Sequence, residues 1–329
     1  FRNNSTTYLN AVVVNYGSAS GATSAVNAEA SLDISIAAQT STQATVVYKT
    51  STGATKAYVL DVSGTTITPG SVASVDAGTG GSGTSITALS STQLLCAYQG
   101  GAAGTPRMRV FDISGSTITA SSEVAADATA AAATYIKVRK ISSSKAVVAF
   151  RNNTGNKPQI RLQSITGSTP APTGSVLDIS ATPGTTPATA LGIAVLSSSR
   201  AVLVAPIDRS YGDLMISLLD ISGTSATLVR NKIISVGSNG TVDADAIKID
   251  SNTVYATWTG GGSLGSDAIV IRITSDDKIV VYPVADQIEP SVSASPGYLA
   301  ADALDSTHVV QLCRNASTYL SAKVVEIAA

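Results

Sequence analysis

A strand–turn–strand phrase that returns every fifty-odd residues predicts an all-β fold, a β-propeller of four-stranded antiparallel blades. The clearest copy is RMRVFDISGSTITASSEV, from Arg107 to Val124. Val110 and Phe111 supply β-favouring bulk, and Gly115 can take the φ > 0 that a tight hairpin needs. Further copies are YVLDVSGTTIT from Tyr58, IRLQSITGSTP from Ile160, SLLDISGTSAT from Ser217 and a worn VIRITSDDKIV from Val270. The turn position moves from Gly64 to Gly115, Gly167, Gly223 and Ser275, in steps of 51, 52, 56 and 52 residues. A period near fifty with four strands per unit marks a propeller blade, because one such sheet has two faces to bury and only stacked neighbours can cover them.

Each element of the repeat has its own signature. Strand 1 is short and small-residued, as Thr84–Leu89, and suits the innermost position where blades crowd together. Strand 2 is the most apolar: Ala44–Tyr48, Leu94–Tyr98, Ala146–Phe150, Ala201–Ala205, Val254–Trp258 and Val309–Cys313. Its alternate residues Leu95, Val147, Val202 and Val309 are expected to be buried between blades. Strand 3 runs from Arg107 to Asp112, and the polar strand 4, from Ser116 to Val124, suits the rim. The units vary in detail. Pro170, Pro172, Pro183 and Pro187 confine the third rim to edge or loop, since proline lacks the N–H for a central ladder. Strand 2 of the fourth unit is expected to break at Ala205-Pro206. In the fifth unit Ser275-Asp276-Asp277 replaces the glycine turn.

The whole of 1–329 reads as one propeller domain. Its repeats span roughly 31–75, 84–126, 134–179, 188–237, 242–285 and 297–329, after an N-terminal half-repeat at 1–30. Cys313–Leu320 echoes Phe1–Leu9, so both ends carry the same strand 2–strand 3 junction. Strand 3 occurs seven times and the other strands six. Six blades with the N- and C-terminal strands closing the ring fit this count, with seven as the alternative. The surplus strand is an open edge able to pair with another copy of the protein. The opening at Phe1, without Met or a charged leader, reads as a processed product or as part of a longer one.

Composition excludes several function classes. Lys plus Arg number 21 against 22 Asp plus Glu, for a net charge of -1, so no footprint for nucleic acid or anionic membrane exists. No apolar run approaches the length of a membrane span. Cys96 and Cys313 sit in strands of different repeats and read as buried thiols, not a disulfide.

The pattern ALSSTQLLCAYQG…RVFDISGSTITASSEV resembles the propeller repeats of phage-tail, virion-associated and bacterial extracellular proteins, and the likeness covers nearly the whole chain. It implies a structural or adhesive surface role, extracellular or on a virion, with other protein chains or surface glycans as partners. A lectin-like carbohydrate-binding propeller is the alternative, and a glycan-cleaving enzyme a third reading. The motif brings no catalytic residues with it.

The residues agree with a non-enzymatic reading. A single histidine, His308, sits at a strand-2 start where other repeats carry Gln43, Gln93, Lys145 and Arg200, and reads as a solvent-facing turn neighbour. It has no nucleophile motif beside it and no Cys/His partner for zinc. Asp243, Asp245, Asp250, Asp276 and Asp277 cluster in the fifth repeat, but without a calcium-loop frame. No catalytic residue, metal or cofactor is therefore expected. The residues just after strand 2 form the candidate ligand ring: Arg2, Asn3, Lys49, Gln99, Arg151, Asn152, Arg314 and Asn315. Equivalent positions lie on one face of a propeller, where arginine and asparagine could meet a glycan or protein. The competing reading packs the preceding aromatics, Tyr48, Tyr98, Phe150 and Trp258, between blades.

Overall fold

The computed structural model describes residues 2–3, 8–11, 24–27, 31–76, 83–101, 104–130, 132–179, 190–208, 213–235, 243–259, 266–283, 299–303, 306, 308–314 and 320–326, and every regular element among them is a strand. Contacts divide the chain into two units. The first takes Phe1–Val148 and Gln163–Pro172; the second takes Ala149–Leu162 and Thr173–Ala329.

In the first unit, β1 (Arg2–Asn3), β2 (Tyr8–Ala11) and β3 (Ser24–Asn27) form an N-terminal sheet in that order. Sheet one is β4 (Ser31–Thr40), β5 (Gln43–Thr50), β6 (Thr55–Ser63) and β7 (Thr66–Pro69), with β8 (Ala73–Asp76) also paired to β6. Sheet two repeats this with β9 (Thr84–Ala88), β10 (Gln93–Gly100), β11 (Thr105–Ser114) and β12 (Thr117–Ala120), and β13 (Val124–Ala125) on β11. The expected rim strand Ser116–Val124 is thus interrupted. Ser121 Oγ accepts the Val110 N–H at 3.0 Å while the Ser121 N–H donates to the Val110 carbonyl at 2.8 Å, which loops one extra residue out as a bulge.

Sheet three, whose residues contribute to both units, orders β14 (Thr134–Ser142), β15 (Lys145–Asn152), β16 (Lys157–Thr166) and β17 (Thr169–Asp178). Pro170 and Pro172 fall on its edge strand β17, as their missing N–H requires.

The second unit continues with sheet four, β18 (Gly192–Ser197), β19 (Arg200–Asp208), β20 (Asp213–Ser222) and β21 (Ser225–Ser235). Sheet five is β22 (Asp243–Lys248), β23 (Thr253–Thr259), β24 (Ser266–Ile273) and β25 (Ile279–Pro283). A C-terminal sheet joins β26 (Leu299–Ala303), β27 (His308–Arg314) and β28 (Leu320–Glu326). The expected break at Ala205-Pro206 does not occur. Strand β19 runs through Pro206 to Asp208 and absorbs the proline with a register shift between those two residues. The two chain ends are built alike: Arg2 pairs Leu9 in the N-terminal sheet, as Arg314 pairs Leu320 in the C-terminal one.

Strand 2 forms the core. Leu95, Val147, Val202 and Val309 are all fully buried, and so are Cys96 and the aromatics Tyr48, Tyr98 and Phe150. The hairpins obey the repeat: Gly64, Gly115, Gly167 and Gly223 hold φ between +53° and +59°. In the fifth sheet Asp277 takes φ +63°, a region that Asp tolerates better than most residues.

Within each unit, one sheet grips the next hairpin by a repeated polar latch. Gln43 Nε2 donates to Asp61 Oδ1 at 2.8 Å and to the Gly115 carbonyl at 3.1 Å, and Ser116 Oγ donates to the other Asp61 oxygen. One repeat on, Gln93 bonds Asp112 at 2.9 Å and the Gly167 carbonyl at 3.1 Å, and Ser168 closes the triangle. Sheet four uses charge for the same purpose. Arg200 lies 3.3 Å from Asp220 and donates with both terminal nitrogens to Asp277, in the turn that stands where other repeats have the glycine hairpin.

A second contact ties the small-residue strands. The Val138 N–H donates to Ser85 Oγ at 3.0 Å, and the Lys140 ammonium reaches the Leu89 carbonyl at 2.6 Å. Lys248 repeats this on Leu196 at 2.7 Å. Close approach at these seams leaves no room for a side chain at Gly192, where a Cβ would lie 2.6 Å from Asp245 and Ala246 backbone atoms.

Candidate functional site

The connection from strand 1 to strand 2 is the same device in sheets one to five. A side-chain oxygen accepts the N–H two residues on: Thr40 from Thr42 at 3.2 Å, Ser90 from Thr92 at 3.3 Å, Ser142 from Ser144 at 3.3 Å, Ser197 from Ser199 at 3.2 Å. Sheet five alone among these uses a carboxylate, with Asp250 Oδ1 accepting from the Asn252 N–H at 2.7 Å.

Position three residues before the hairpin turn departs in the same sheet. It is Asp61, Asp112, Ser164 and Asp220 in sheets one to four, and Arg272 in sheet five. Its cross-strand partner is Thr253, where the other latches have Gln43, Gln93 and Arg200. Both halves of the latch are therefore exchanged.

At this place lies a cleft of about 520 Å³, lined by Asp250, Asn252, Thr253, Arg272, Thr274 and Tyr282 among others. Strand pairing sets its floor: Thr253 faces Arg272, and Arg272 faces Val280, so β23, β24 and β25 each contribute. Tyr282 stands two residues further along β25, diagonal to Arg272 and within its reach. The guanidinium lies 5.5 Å from the Tyr282 ring centroid, a cation–π contact, and Tyr282 as a residue is 45% exposed. Burial works to raise the Asp250 carboxyl. Hydrogen bonds from the backbone of Asn252 and Thr253 and from the Thr253 hydroxyl, with the Arg272 charge, outweigh it and hold Asp250 below its ordinary value. The lining thus offers a planar donor fork, an ionised carboxylate, an amide, hydroxyls and an aromatic face.

The ring read from sequence lies at the other end of strand 2, beside the aromatics. Those aromatics are buried; Trp258 is 2% exposed and Tyr48 stacks on Tyr58 with centroids 6.1 Å apart. The Tyr98 hydroxyl donates to Glu123 at 2.6 Å and accepts from Arg109 Nε at 3.1 Å, a closed network. Of the ring residues, Gln99 is buried at 8% exposure, and Lys49, Arg151 and Asn152 are half-buried. Arg151 bonds Asn156 and Asn152 Oδ1 accepts the Thr154 N–H at 3.0 Å, so both serve their own loop. Arg2, Asn3 and Arg314 lie in strands, with side chains outside the described residues; Asn315 lies outside them altogether. His308 is half-buried at the start of β27.

The acidic residues of the fifth repeat are dispersed. Asp245 accepts the Ala246 N–H at 3.0 Å, Asp276 pairs Lys278 at 2.6 Å and Asp277 pairs Arg200. Among the described residues no group of His, Cys, Asp or Glu is placed to hold a metal ion.

Sequence singled out Asp250 among the acidic residues but not the cleft, because its residues come from a turn and three separate strands. The signal was nonetheless present: Asp-to-Arg at one repeat position reverses a charge that the neighbouring repeats keep.

No protein-family model and no curated protein sequence matches the chain. Solved structures do. The chain is similar to the BP39L lectin from Burkholderia pseudomallei, with a TM-score of 0.65 and 14% identity over 97% of this chain and 91% of that one. It is also similar to the lectin of Aleuria aurantia, described as a six-bladed β-propeller with a novel fucose recognition mode, at a TM-score of 0.57 and 14% identity over 89% and 91%. A periplasmic gluconolactonase of Pseudomonas aeruginosa matches at a TM-score of 0.57 and 9% identity over 89% and 85%. At such identities the likeness shows the fold, and the fold is a β-propeller of four-stranded antiparallel blades.

Proposed function

We propose that this chain is a non-enzymatic carbohydrate-binding propeller that acts as an adhesive surface module. The observation that carries the reading is the sheet-five cleft, where a guanidinium, a carboxylate and an exposed tyrosine line one concavity. Polar groups in fixed geometry beside an aromatic face suit a ligand with hydroxyls on one side and C–H groups on the other. The likeness to lectin propellers supports it, and fucosylated glycans are the first ligands to test. The module works in an extracellular or virion-associated setting, as the repeat resemblance implies, and its terminal strands offer an edge for self-association. Arg2, Asn3, Lys49, Gln99, Arg151, Asn152, Arg314 and Asn315 form the secondary candidate surface, for protein partners.

The test is a glycan array probed with the labelled full chain at neutral pH. Retention on a defined set of glycans, displaced by the free sugar, is the expected result. Failure to bind any glycan, with the protein folded by circular dichroism, overturns the proposal.

A further inference from the structure

Resting on that glycan reading, we infer that sheet five holds a single ligand site, selective for uncharged sugars, in which Arg272 anchors hydroxyl oxygens, Tyr282 stacks the sugar ring and Asp250 repels acidic sugars.

Location comes first. In sheets one, two and four the paired strand-2 and strand-3 residues are spent on gripping a hairpin, through Asp61, Asp112 and Asp220. There these carboxylates are engaged by the glutamine, serine or arginine partners of the latch. Sheet five has Thr253 and Arg272 instead, and there the cleft opens. Exchanging both members of the latch has turned a joint into a concavity.

Ligand class follows from charge. A guanidinium presents several N–H donors in a plane, a geometry matched by two adjacent hydroxyl oxygens as well as by a carboxylate. Asp250 decides between them. Its oxygens are held by the turn, with the Asn252 N–H at 2.7 Å, and the carboxylate keeps its charge beside Arg272. The local charges of Asp250 and Arg272 cancel. An acidic sugar entering the cleft would meet a fixed anion, whereas a neutral sugar can donate a hydroxyl to the outer carboxylate oxygen and accept from Arg272. Arg272 covers one face of Tyr282, and Tyr282 is an exposed residue, so a sugar can approach it with its C–H groups.

Asp250 is also the replaceable member. Asparagine keeps a side-chain carbonyl for the Asn252 N–H, so Asp250→Asn retains that turn contact while removing the charge and one acceptor oxygen.

Calorimetric titration of the full chain with methyl glycosides of L-fucose, D-galactose and D-mannose, and with N-acetylneuraminic acid, separates the possibilities. We expect a neutral glycoside to bind at a stoichiometry near one, with Tyr282→Ala and Arg272→Ala each weakening it at least tenfold. Asp250→Asn should gain measurable binding of N-acetylneuraminic acid. Tyr282→Ala alters an exposed side chain and keeps the test valid if Arg272→Ala fails to fold. Binding that persists unchanged in Tyr282→Ala, several equivalent sites per chain, or acidic sugars bound best by the unaltered protein would each overturn this inference while leaving the glycan reading intact. No glycan binding by the unaltered protein removes both.

Discussion

At position 277 an aspartate takes a left-handed backbone conformation like that of the hairpin glycines in other repeats, and its side chain meets Arg200. The Arg200 hydrogen bond, against a small opposing effect of burial, holds its carboxyl below the ordinary value. A carboxyl whose folded pKa lies below the unfolded value near 4 stabilises fully above that value and stops doing so as pH falls through the folded one. Asp277→Asn retains tolerance of the left-handed backbone and deletes the charge. Its melting temperature is expected to fall short of the parent's at pH 7, with the gap closing below about pH 4. Thermal unfolding followed between pH 2 and 7 checks this; parallel curves for the two proteins would refute it. At the core, Leu95→Ala should cost about 2–5 kcal/mol in denaturant unfolding, because it leaves a cavity in a strand with no exposed surface to relax into. Burial likewise pushes the Cys96 thiol up, which makes it a packing residue and not a nucleophile.

Among the elements, the hairpin is where the chain has least freedom. Gly115 sits at φ +56° with open space around it, so an alanine there meets backbone strain alone. Gly115→Ala should lose about 1–2 kcal/mol. Gly174 combines φ +63° with a Cβ position 2.0 Å from the Thr224 carbonyl, and Gly174→Ala should be the worse of the two. Gly155, whose neighbours are the flexible Lys157 side chain, is the control and should tolerate alanine. Chemical denaturation of the three variants ranks them, and an equal loss at Gly155 would contradict the strain argument. Turns and strand 2 were legible in the sequence because a fixed period exposes them: glycine at one phase, four or five apolar residues at another. The interrupted rim was not, since the bulge depends on Ser121 reaching Val110 across two strands. Proline misled in the fourth repeat because a missing N–H excludes a regular ladder position and still permits a shifted register.

Across the whole molecule the same lesson separates fold from site. Repetition reveals whatever all copies share, and so it exposes the blade. A ligand site departs from the repeat, and Arg272, Thr253 and Asp250 are informative because they break the pattern. The two contact units make a further prediction. Strand β3 pairs β2 in the N-terminal sheet, and no other strand pairs with it among the described residues. Removing residues 1–11 should therefore strip hydrogen-exchange protection from Ser24–Asn27 and spare the amides of β22–β25 in the second unit. Retained protection at Ser24–Asn27 would show that another strand holds β3.

The latches also constrain how such a gene can be rearranged. Gln43 and Gln93 seize a hairpin by its main-chain carbonyl, which any glycine-turn repeat provides. Arg200 seizes a carboxylate that only the fifth hairpin supplies. Recombination could therefore duplicate or exchange the early repeats freely, whereas the fourth and fifth must travel together. A crossover between them would leave Arg200 with Asp220 alone and without its grip on the next hairpin.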